Sequence, residues 1–122
     1  KHREGFSPIP EGVIHLEFNN IEDIKNSIDK ETAAVIIEPI QGEAGIRIAN
    51  QEFLTALKEL CNKNGALLIF DEVQTGVGIT GKMWAHEHFV INNNIIKPDI
   101  ICINSGYETL RCENIFFGTI FK

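Results

Sequence analysis

Apolar residues fall into short runs separated by polar turns, and the period of each run predicts its structure. From Ile14 to Phe18 apolar and polar positions alternate, the pattern of a half-buried strand entered at Val13. Asn19 or Asn20 then caps a short helix that carries Ile21, Ile24 and Ile28 on one face and acids in its first turn. Ala33 to Ile37 is apolar without a break and stops at Glu38-Pro39, which predicts a strand covered on both faces in a parallel sheet. Gly42 and Gly45 mark a loop. Asn50 opens a longer helix with Phe53, Leu54, Leu57, Leu60 and Cys61 along one stripe, and Gly65 closes it.

Ala66 to Phe70 repeats the continuous apolar pattern and ends at Asp71-Glu72. A glycine-rich loop, a short helix around Trp84 to Phe89 and a loop at Asn92-Asn93-Asn94 lead to Pro98-Asp99 and a third apolar strand, Ile100 to Ile103. Strand, helix, strand, connection, strand predicts an α/β fold, a parallel sheet with right-handed crossovers. After Ile103 no period persists. Phe116-Phe117 and Ile120-Phe121 have no evident partner, so 104–122 reads as a divergent tail without assigned order.

Composition narrows the class. The chain has 122 residues, 43% of them hydrophobic and 23% charged, which suits a globular domain and not a disordered one. A net charge of −6 without a basic stripe argues against nucleic acid and against anionic membrane surfaces as partners. No apolar run approaches the ~18 residues of a membrane span, and Lys1-His2-Arg3-Glu4 does not read as a signal peptide. Cys61, Cys102 and Cys112, an odd set without tight spacing, fit reduced thiols and a cytoplasmic location.

Two acids sit where parallel sheets bind ligands, at the carboxyl ends of strands: Glu38 directly after Ile37, and Asp71 directly after Phe70. There a carboxylate holds a cation, accepts a proton or pairs with a protonated ring nitrogen. Equally, it caps the following loop through backbone N–H groups, and the residues alone leave both roles open. Gly76 to Met83 approaches the phosphate-loop pattern but puts Met83 where the hydroxyl must be, and it follows the acidic strand instead of preceding it. Nucleotide hydrolysis is therefore rejected. His86-Glu87-His88 has no third ligand at metal spacing and reads as a solvated helix face; no metal is expected. Cys61 and Cys102 read as core residues.

Taken together, Ala34 to Gly45 (AVIIEPIQGEAG), Gly65 to Gly76 (GALLIFDEVQTG) and Pro98-Asp99-Ile100 resemble the class III, ornithine-type, pyridoxal-phosphate-dependent aminotransferases. Arg3-Glu4-Gly5-Phe6 and the overall wording are most similar to the acetylornithine aminotransferase branch. The resemblance implies a segment of a fold-type I large domain: 1–103 as part of the cofactor-binding large domain, with 104–122 as the tail. It implies Asp71 paired with the cofactor's ring nitrogen, Val73 packed on the ring, Gln74 at its phenolic oxygen and Glu38 nearby. Glu43 would stand beside the substrate. The implied reaction moves an amino group between an N-acetylornithine-like ω-amine and 2-oxoglutarate, in a homodimer of the arginine-biosynthesis type, with amino acid and 2-oxo acid substrates.

The chain also departs from that pattern. Seven residues beyond Pro98, where the family has its Schiff-base lysine, stands Ser105, whose hydroxyl neither forms the imine nor shuttles the proton. Ile79 replaces the usual arginine, and the connection with the Asn run is longer. These departures, with the phosphate-binding turn and small domain not represented, predict a fragment inactive by itself. The alternative is a non-catalytic binding or interaction module that keeps the α/β core.

Overall fold

The computed structural model describes residues 11–43, 45–103 and 119–122. In chain order the elements are β1 (Val13–His15), α1 (Ile21–Ser27), β2 (Ala34–Ile37), β3 (Ile40–Gln41), β4 (Arg47–Ile48), α2 (Gln51–Asn64) and β5 (Leu67–Asp71). A single 3-10 turn (Ala85–His88) follows, then β6 (Val90–Ile91), β7 (Asn94–Ile95), β8 (Ile100–Cys102) and β9 (Thr119–Phe121). No helix among the described residues is long and apolar enough to cross a membrane.

Local chemistry explains the helices. The Asn20 side chain accepts the Asp23 N–H at 3.0 Å, satisfying one of the donors a helix start leaves open. Gly65 ends α2 at φ 78°, a left-handed conformation that costs a side-chain-bearing residue more than glycine, and its N–H bonds back to the Cys61 carbonyl.

The main sheet runs β1-β9-β2-β5-β8. Its heart is parallel: β2 pairs β5 with Ile37 opposite Phe70, and β5 pairs β8 with Asp71 opposite Cys102. Both helices pack on one face. Val35, Ile37, Leu68, Phe70 and Ile120 from the sheet meet Ile24, Phe53, Leu54, Leu57 and Cys61 in a single core. Each fully buried aliphatic or aromatic side chain there contributes ~1.5–3 kcal/mol, so this face dominates stability. Asp99 joins the layers. It accepts the Leu68 N–H at 2.8 Å and Lys58 Nζ at 3.0 Å, tying α2 to the entrance of β5.

Three expectations from the sequence need correction, and a fourth, the loop at the Asn run, is sharpened. The strand expected through Phe18 ends at His15; Leu16 and Phe18 leave the ladder and enter the core instead. The end of the tail has a partner after all. Thr119–Phe121 inserts antiparallel between β1 and β2, with Ile120 fully buried opposite Ile14 and Val35, so the sheet is mixed. The Asn run is the turn of a hairpin: β6 and β7 pair across Asn92 and Asn93, both at positive φ, which asparagine tolerates better than most residues. Finally, the second sheet face is not covered throughout. Leu67, Ile100 and Phe121 are each at least 40% exposed. Cys112, Phe116 and Phe117 lie outside the described residues.

Candidate functional site

The parallel register builds the site. Because Ile37 stands opposite Phe70, Glu38 emerges one step beyond β2, abreast of Asp71 at the end of β5. Side chains alternate along a strand. Leu68 and Phe70 point into the helix-covered core, so Asp71 points to the opposite face and Glu72 turns back toward the core side.

Asp71 is 93% buried, and one of its carboxylate oxygens accepts the Val73 N–H at 3.0 Å. The loop-capping role left open by the sequence is therefore real for this acid. Glu38 is its neighbour, and Glu43 is in turn a neighbour of Glu38. Burial raises Glu38 from its ordinary value to about 7, and the charges of Asp71 and Glu43 add to the rise against a hydrogen bond from the Gly42 N–H. Glu43 in turn accepts the Gln74 side-chain amide at 2.6 Å. Glu38, Glu43, Asp71 and Gln74 thus form one acidic cluster at the carboxyl end of the parallel strands. Val73 enters it through its N–H, with its side chain half-buried on the turn. Ser105 lies outside the described residues.

Sequence reasoning missed the residues behind this cluster. His86, expected on a solvated face, is buried, and its Nδ1 stands 2.7 Å from the fully buried Glu72 carboxylate. The same carboxylate accepts the backbone N–H groups of Ala85 at 2.5 Å and His86 at 3.0 Å. Burial of a charge demands such partners. A signal existed: continuing the alternation Leu68, Phe70, Glu72 puts this acid on the core side, where it needs donors. Only His88 of the expected face is exposed, and its ring nitrogen pairs with Thr80.

A mixed sheet with a parallel heart, helices on one face and acids at the strand ends defines a class, and comparison with known proteins defines the family. Residues 1–107 match the family described as Aminotransferase class-III, and the chain belongs to it. It is 57% identical over 101 residues to the LysW-aminoadipate semialdehyde/glutamate semialdehyde transaminase of Sulfolobus acidocaldarius, covering 83% of this chain and 24% of that protein. It is 48% identical over 103 residues to the acetylornithine/succinyldiaminopimelate aminotransferase of Buchnera aphidicola, covering 84% of this chain and 24% of the relative. Among solved structures, the ornithine aminotransferase from Toxoplasma gondii superposes with a TM-score of 0.71 at 32% identity, over 82% of this chain and 22% of that one. The fold is accordingly that of a fold-type I large-domain segment, and the chain spans about a quarter of the length of the curated relatives it matches.

Class III aminotransferases depend on pyridoxal phosphate, and the donor set fits one edge of that group. A buried carboxylate with Glu38 beside it would favour a protonated ring nitrogen, Gln74 would offer an amide, and half-buried Val73 an apolar surface.

Proposed function

We propose that this chain provides the ring-facing wall of a pyridoxal phosphate site in an aminotransferase acting between an N-acetylornithine-like ω-amine and 2-oxoglutarate. The observation that supports it is the buried Asp71 at the end of β5, standing abreast of Glu38 in a chain of the class III family. In this reading Asp71 holds a proton on the ring nitrogen, and Val73 and Gln74 orient the ring. Glu38 stays close to Asp71 as a weak acid, and Glu43 faces the substrate. The cofactor, when bound, would supply an electron sink for the substrate carbon that bears the transferred amine; the protein's part is to keep its nitrogen protonated and its ring fixed.

The lysine is the exception. Ser105 stands seven residues beyond Pro98, so that position supplies no primary amine. This favours a second reading, in which the chain binds the ring without turnover, as a non-catalytic module.

Titration with pyridoxal phosphate, followed by absorbance, tests the shared claim. Wild type is expected to bind, and Asp71→Asn to bind about tenfold or more weakly, as loss of a buried charge-assisted contact implies. Equal affinity of the two proteins would refute it. Borohydride reduction followed by mass spectrometry, beside a transamination assay with N-acetylornithine, separates the two readings. A single stoichiometric lysine adduct with turnover supports the enzyme; binding without either supports the module.

A further inference from the structure

Between Asp71 and Ala85 the chain makes a long excursion that is poorly held by itself. It contains turns, three glycines, and Val77 at φ 55°, an unfavourable conformation for a β-branched residue. Beyond the turn at Glu72 its own backbone bonds are Ile79 N–H to the Gly76 carbonyl, Gly81 N–H to Gly78 and Gly78 N–H to Met83, and Lys82 Nζ reaches the Glu87 carbonyl at 2.7 Å. Yet this excursion begins with Val73 and Gln74, two of the proposed ring-facing residues.

Both ends of the excursion converge on one residue. Glu72 donates its N–H to the Cys102 carbonyl at 3.0 Å, fixing it to β8. Its carbonyl accepts the N–H groups of Thr75 at 3.3 Å and Gly76 at 2.8 Å, forming the turn that carries Val73 and Gln74. Its carboxylate, with no exposure, holds the far end through Ala85, His86 and the His86 ring. The His86 ring also lies against Phe70, with centroids 5.9 Å apart, so it braces the residue immediately before Asp71. The Trp84 ring seals the turn: a Cβ at Gly76 would stand 3.1 Å from it and 2.9 Å from the Glu72 carbonyl, so only glycine allows this approach.

We propose that the buried Glu72–His86 pair is a latch that positions Asp71 and the Val73–Gln74 turn from the core side of the sheet. Glu72 and His86 are positioning residues: their side chains lie on the face away from the Asp71 carboxylate. The ligand positioned rests on the aminotransferase reading; the latch itself does not. Closing a loop of this length costs chain entropy, and the latch concentrates that cost on one carboxylate and its three donors.

The test compares wild type, His86→Phe, His86→Asn and Asp71→Asn in the full chain. Phenylalanine keeps the contact with Phe70 but removes the side-chain donor; asparagine retains a donor where Nδ1 stands. In His86→Phe, hydrogen exchange at the amides of Glu72, Val73, Thr75, Gly76, Ala85 and His86 is expected to accelerate by about tenfold or more, while α2 amides hold. The dissociation constant for pyridoxal phosphate should rise by a similar factor, and His86→Asn should restore both most of the way. Asp71→Asn should weaken cofactor binding and leave exchange at Ala85 and His86 unchanged.

Unchanged exchange in His86→Phe overturns the latch. So does acceleration spread evenly over α2, which would mark a general core contact, or local loosening that leaves cofactor affinity intact while Asp71→Asn lowers it. If wild type binds no pyridoxal phosphate, the aminotransferase reading fails and the exchange pattern alone decides the latch. Should His86→Phe not fold, Glu72→Gln carries the same readouts.

Discussion

Glu38 should make this fold less stable as pH rises through neutrality. Its carboxyl is raised from 4.5 to about 7, chiefly by burial and secondly by the charge of Asp71. A group with a raised folded pKa binds more protons folded than unfolded between the two values. Its contribution to stability is therefore complete below about 4.5 and is lost as pH climbs through about 7. At ~1.4 kcal/mol per unit the shift would give ~3 kcal/mol as an upper limit, and because the group is only half-buried, solvent screening reduces this to about 1–2 kcal/mol. Glu38→Gln keeps the shape and removes the titration. Urea unfolding of both proteins at pH ~4 and pH ~8.5 measures the difference. The variant should match wild type at the acid end and exceed it by about 1–2 kcal/mol at the alkaline end. Parallel stability curves for the two proteins would refute the burial of the Glu38 carboxyl.

Other consequences follow from the core and the turns. Leu57 is 1% exposed among Phe53, Leu54 and Leu68, so Leu57→Ala should cost ~2–4 kcal/mol in denaturant unfolding. Gly65→Ala meets no atom within 4 Å, so its expected cost of ~1 kcal/mol arises from the left-handed backbone alone; a neutral result would contradict the αL cap. Burial pushes the Cys61 thiol up to about 11, so at pH 8 iodoacetamide should modify it only after unfolding, as read by mass spectrometry.

Much of the fold was legible because its signals are local. Asn20 caps α1, Gly65 ends α2, and the uninterrupted apolar runs at 33–37 and 66–70 hold the parallel strands β2 and β5, since each depends on neighbouring residues or on burial of a whole segment. The acids at the strand ends were visible for the same reason. What the sequence left unassigned depends on residues distant along the chain. Ile120 has no local partner, and only the gap between β1 and β2 gives it one, with Lys122 then paired to Asp29 at 2.5 Å.

His86 shows the limit most clearly. Read by helical spacing it faces water, because His86 and His88 point to different faces and no third ligand stands at metal spacing. In the fold a 3-10 turn brings it to Glu72, fourteen residues earlier, where a buried carboxylate requires donors that no local pattern announces. The chain's own residues determined the family, the parallel strands and the acids at their ends. The assembly of those acids into one cluster, and the pair that braces it from behind, came from tertiary packing: strand register sets which carboxylates share a space, and burial decides which charges must find partners.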